Sequence, residues 1–173
     1  MTVVAPSQDT GGAALLAQIA TVQALVTANA NPLVLAQLTA QLNQLQVEAI
    51  DHFMVTGWIN AATILETYTA PAWDSVGQAL TARVAFLQAL YENAPAPLPG
   101  NAEGYGTAGW VTVAQNYAQQ LYAAQISLVE HIMALPGGTP AATMLANLTG
   151  FQSFPFEYVF SSVGYTDADT EGD

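Results

Sequence analysis

Leu35-Ala36-Gln37-Leu38-Thr39-Ala40-Gln41-Leu42-Asn43-Gln44-Leu45-Gln46-Val47-Glu48-Ala49-Ile50-Asp51-His52 is the stretch that decides the fold. Leu35, Leu38, Leu42, Leu45, Ala49 and His52 recur at alternating steps of three and four residues, which is a helical seam of coiled-coil type. Asn29-Ala30-Asn31-Pro32 precedes it and reads as a tight break, with Pro32 at the first position of the new helix. The pattern predicts a helix that continues until Pro71 ends it. Beyond His52 the seam turns polar at Thr56 and Thr63 and ends on Glu66, while a second stripe takes over at Ile50, Phe53, Gly57, Ala61, Ile64 and Tyr68. One partner is therefore expected along the first half and another along the second, with Gly57 marking a kink or a close helix crossing.

The elements on either side have the same character. Upstream, Leu15, Ile19, Val22 and Val26 predict a helix from near Thr10 to Ala28. Downstream, Asp74 is an N-cap for a third helix carrying Val76, Leu80, Val84, Leu87 and Tyr91, stopped by the proline-rich run from Asn93 to Gly100. The loop from Asn93 to Gly106 is long enough to cross the end of a bundle and to touch a partner. A fourth helix, starting near Thr107, aligns Trp110, Ala114, Tyr117, Leu121, Ala124, Leu128, His131 and Leu135 until Pro136-Gly137-Gly138. Thr139-Pro140 then opens a short helix that Gly150 closes.

The last apolar segment changes period. Phe154, Phe156, Tyr158 and Phe160 alternate with Pro155, Glu157, Val159 and Ser161, which predicts an extended arm, with Pro155 confining it to an edge. Such an arm folds back over its own helices or docks on a neighbouring subunit. The expected fold class is all-α: an antiparallel helical bundle of about four main helices plus one short helix, with an extended aromatic C-terminal arm. The expected division is residues 1–9 as an N-terminal arm, 10–150 as the helical bundle domain, 151–166 as the aromatic arm and 167–173 as a solvated acidic tail.

Charge narrows the function more than any motif does. Arg83 is the single Lys or Arg in 173 residues, against thirteen carboxylates and a net charge of −12. Charged residues make up 8% of the chain, where a soluble domain carries about 25%. Four of the acids stand within the last seven residues, so residues 1–166 keep nine acids and Arg83, a net charge of −8. Residues 10–47 carry no charged side chain, and neither do residues 104–129. Nucleic acid is not an expected partner, because neutralising phosphates takes Lys or Arg. An anionic lipid headgroup is disfavoured for the same reason. There is no cysteine, so disulfides, thiolate metal sites and Cys nucleophiles are excluded. Met1-Thr-Val-Val-Ala-Pro6 lacks the basic and apolar regions of a secretory signal, and none is expected. Residues 11–47 are long enough to cross a membrane, but Gln18, Gln23, Asn29, Asn31, Gln37, Gln41, Asn43, Gln44 and Gln46 would be costly in hydrocarbon.

One constellation carries possible chemistry. His52 follows Glu48 by four residues, and His131 follows Glu130 directly, both histidines lying on helical seams. Di-iron carboxylate bundles assemble their metal from Glu and Glu-x-x-His on four helices. The spacing differs here: Glu48 and His52 are one position too far apart, and Glu130 and His131 diverge by about 100° around a helix. His52, His131, Glu48 and Glu130 are thus metal candidates set against a plainer role as hydrogen-bonded core or interface residues. Glu48 and Asp51 read as a solvated helix edge. No Ser stands in a Gly-x-Ser-x-Gly turn, and Gly104-Tyr-Gly106-Thr-Ala-Gly109 has neither the strand nor the Lys of a phosphate loop. Asn147-Leu148-Thr149 is read as a chance sequon. Arg83 is expected to pair with Glu66, Asp51 or Glu48, or with a carboxylate of another subunit.

The sequence accordingly predicts a non-enzymatic structural protein that assembles with copies of itself and with other assembly proteins. It would be a component of a virion or another extracellular assembly, without cofactor or small-molecule substrate. Its expected contacts are Arg83 and the aromatic residues Phe154, Phe156, Tyr158 and Phe160. The alternatives are a ferritin-like bundle binding a metal or cofactor through His and Glu, and a membrane-embedded helical protein.

Overall fold

A computed structural model describes residues 3–94, 113–148 and 151. The described residues are all-α: six helices and no strand, in the helical-bundle class that the seams predict. In order they are α1 (Thr10–Ala28), α2 (Pro32–Val55), α3 (Ala61–Leu65), α4 (Ser75–Glu92), α5 (Val113–Ala134) and α6 (Ala141–Ala146). The described residues fall into two compact units, residues 3–60 with 129–148 and 151, and residues 61–94 with 113–128. The proline-rich loop beyond Ala94, the predicted helix start at Thr107 with Trp110, the Gly104–Gly109 stretch, Gly150, the arm beyond Phe151 and the acidic tail lie outside the described residues.

In the first unit α1 and α2 form an antiparallel hairpin. The Asn29-Ala30-Asn31 connection is held by its own side chains: Asn29 Oδ1 accepts from the Asn31 N–H (3.0 Å), and Asn31 Oδ1 caps α2 by accepting from Leu33 N–H (3.0 Å). Pro32 follows at the first helical position, where its missing N–H costs nothing. Val22, Leu42 and Leu45 form the buried centre of the hairpin, with Leu15, Ile19, Val26 and Leu38 partly buried around it. Each fully buried aliphatic side chain of this kind contributes about 1.5–3 kcal/mol. Further along α2, Ala49, Ile50, Phe53 and Met54 are completely buried, and α6 packs on this helix through Ala141, Met144 and Leu145.

The second predicted helix is shorter than its periodicity implies. α2 ends at Val55, because Gly57 takes a φ of +84° that side chains with a Cβ avoid. Its N–H donates to Met54 O (3.1 Å), and Ile59 N–H reaches back to Phe53 O (3.2 Å), which satisfies the last carbonyls. Gly57 therefore stops the helix rather than kinking it, and α3 is a separate short element.

In the second unit, Asp74 caps α4 as predicted, accepting from Gly77 N–H at 2.9 Å. Leu87 of α4 clusters with Leu121 and Ala124 of α5, flanked by Val84, Leu90 and Tyr91. Tyr122 is buried beside α3; burial pushes its hydroxyl up to about 12, partly offset by a hydrogen bond with the Ala61 backbone. The predicted α5 seam is observed in its described part, with Leu121, Ala124 and Leu128 buried and His131 half-buried.

Candidate functional site

The polar groups of interest gather in the first unit, where the α1–α2 hairpin is anchored. Asp9 directly precedes α1 and is buried. Its Oδ1 accepts from Gly12 N–H (2.9 Å), so it fills one of the unsatisfied donors at the start of the helix. The same oxygen accepts from His52 Nε2 at 2.7 Å, while Asp9 Oδ2 is buried without a partner. His52 thereby ties α2 to the cap of α1, one residue from the buried Phe53. Gly12 is required by close approach: a Cβ there would collide with the Asp9 carboxylate and the Phe53 ring. Asp74 and Gly77 repeat this arrangement at the start of α4.

Asp51, next along α2, turns to a different partner. It hydrogen-bonds to Glu130 near the end of α5. Its Oδ1 is buried without a hydrogen-bond partner. Burial, then the hydrogen bond with Glu130, then the proximity of that second carboxylate push the Asp51 carboxyl up from 3.8 to about 7. The expectation that Asp51 is part of a solvated edge is corrected; Glu48 alone fits that description, exposed and accepting from Gln44 Nε2 at 3.2 Å.

The four metal candidates are thus distributed among separate contacts. His52 binds Asp9, Glu130 faces Asp51, and Glu48 is held by Gln44. His131 is half-buried and has an interaction of its own. Among the described residues no three His, Asp or Glu side chains are placed to hold a metal ion. Sequence reasoning missed both Asp9 and the Asp51–Glu130 pair. Asp9 had a local signal, an Asp standing immediately before the first helical residue. The carboxyl pair had none, since its members lie on helices far apart in the chain.

Arg83 is exposed on α4 and forms no ion pair among the described residues of its own unit, which corrects the expected pairing with Glu66. Phe154, Phe156, Tyr158 and Phe160 lie outside the described residues. Phe151, where the arm begins, stacks on the buried Phe53 of its own chain, ring centroids 4.6 Å apart and tilted by 56°.

The hairpin itself leaves apolar surface uncovered. Only 11% of the most apolar part of α1 is buried, and among the described elements α1 packs extensively on α2 alone. Leu25, Leu33 and Val34 are exposed around its tip. A groove of about 390 Å³ runs between the helices, lined by Ala17, Thr21, Val22 and Leu25 of α1 and by Leu45 of α2, with Gln18 and Gln41 at its polar positions. No protein-family model matches the sequence, and no curated protein or solved structure matches it.

Proposed function

We propose that the chain is a non-enzymatic structural subunit that assembles with copies of itself, of the kind that builds a virion or another extracellular assembly. The observation that carries this reading is the α1–α2 hairpin: long, uncharged from residue 10 to residue 47, and with most of its apolar helix left uncovered. Apolar surface of this extent on a helix pair favours association, because burying it releases water at about 25 cal/mol per Å². The absence of charge lets like surfaces meet without repulsion. The polar groups nearby support it as well, since Asp9–His52 and Asp51–Glu130 anchor the hairpin at its base rather than lining a cleft. Light scattering on the purified full chain in detergent-free buffer tests the proposal. A discrete oligomer or a polymer is expected, and a stable monomer overturns it.

A second reading rests on one specific observation. α1 is long and apolar enough to cross a membrane, with a mean hydropathy of 1.4. Gln18, Thr21, Gln23 and Thr27 lie along that helix, and a chain that is soluble without detergent excludes this reading.

A further inference from the structure

We infer that the α1–α2 hairpin docks against the same hairpin of a second copy, so that two helical pairs complete one four-helix bundle. This rests on the self-assembly reading and adds the surface that performs it. A two-helix hairpin cannot enclose its own seam. Here Val22, Leu42 and Leu45 are buried, but Leu15, Ile19, Val26 and Leu38 are only partly covered. The open side is continued by Leu25, 48% exposed, and Leu33, 79% exposed. Supplying a second pair of helices to such a seam is the geometry of a four-helix bundle.

Charge selects the occupant. Each copy carries a net charge of −12, so copies that meet through their acidic stretches set carboxylates against carboxylates. Residues 10–47 offer a continuous surface with none. An isologous contact brings the same patch to itself, so the patch must complement itself. Apolar side chains do so, and the amides of Gln18 and Gln41 in the groove each carry donors and an acceptor. A strongly charged partner would find no counter-charge on this face.

Sedimentation of the full chain with Leu25→Asp and Leu33→Asp, singly and together, tests the inference. Both positions are exposed, so the variants are expected to keep their helical circular dichroism and cooperative unfolding. The expected result is an association constant lowered by roughly a hundredfold or more for the double variant, since two copies would then bury unpaired carboxylates. Phe86→Asp, 61% exposed on α4, is the matched comparison and should leave association unchanged. Four results overturn the inference. The double variant associates like the parent. Phe86→Asp dissociates the assembly instead. Removal of residues 152–173 dissociates it, which makes the arm the occupant. The parent floats with phosphatidylcholine vesicles, which makes lipid the occupant. A parent that is monomeric defeats the self-assembly reading itself, whereas an oligomeric parent with unaffected hairpin variants defeats only the choice of surface.

Discussion

His52 donates from Nε2 to Asp9 Oδ1 across 2.7 Å, and this contact joins the end of α2 to the residue that starts α1. Asp9 is almost completely enclosed, while the His52 side chain keeps 24% of its surface. The carboxylate performs two tasks with one oxygen, capping a helix and fixing where that helix meets its partner. Asp9→Ala removes both. The lost cap alone costs about 1 kcal/mol, and the buried partner left unpaired adds to it. Thermal unfolding should show a larger loss for Asp9→Ala than for His52→Ala. The double variant should lose less than the sum of the two, because the residues act as a pair.

The Asp51–Glu130 pair makes stability depend on pH. In the unfolded chain Asp51 ionises near 3.8; in the folded chain it holds its proton to about 7. Between those values the folded state keeps a proton that the unfolded state has released, so stability falls as pH rises through this window and levels off above it. The melting temperature at pH 5 is therefore expected to exceed that at pH 8. In Asp51→Asn the side chain takes up no proton in this window, and the difference between the two pH values should shrink. An unchanged pH profile in this variant would contradict the assignment.

Gly12→Ala places a Cβ against the Asp9 carboxylate and the Phe53 ring at once. Alanine normally favours a helix over glycine, so a propensity effect alone would stabilise the variant. Here the expected outcome is a loss of about 1–3 kcal/mol in denaturant unfolding, the cost of overpacking a rigid site. The sign of the change separates the two effects.

Arg83→Ala should leave unfolding of the separated chain within about 0.5 kcal/mol of the parent, as is usual for exposed side chains outside any network. An intersubunit role for Arg83 would show as weaker association in the same variant, whereas docking through the α1–α2 hairpin predicts an unshifted dissociation curve. Unchanged association would remove Arg83 from the interface.

The helices were legible because their physics is local. Leu35, Leu38, Leu42 and Leu45 lie on one face by spacing alone, and Asn31-Pro32 and Asp74 mark helix starts by side-chain chemistry that reaches only three residues. Gly57 was legible as an interruption, but whether it bends or ends a helix depends on its φ, which periodicity does not encode. Asp51 was misplaced for a different reason. Its three-residue spacing from Glu48 is that of a solvated edge, and only packing of α2 near the end of α5 brings Glu130 to it. His52 lay on the predicted seam, yet its partner Asp9 belongs to a stretch that periodicity assigns to an arm.

Sedimentation equilibrium of the full chain over a concentration series, in detergent-free buffer, tests the central claim most directly. Self-assembly through an uncharged hairpin predicts a mass of at least twice 18.1 kDa that persists on raising the salt, because no ion pair holds the hairpin faces together. A mass of one chain at every concentration would contradict it.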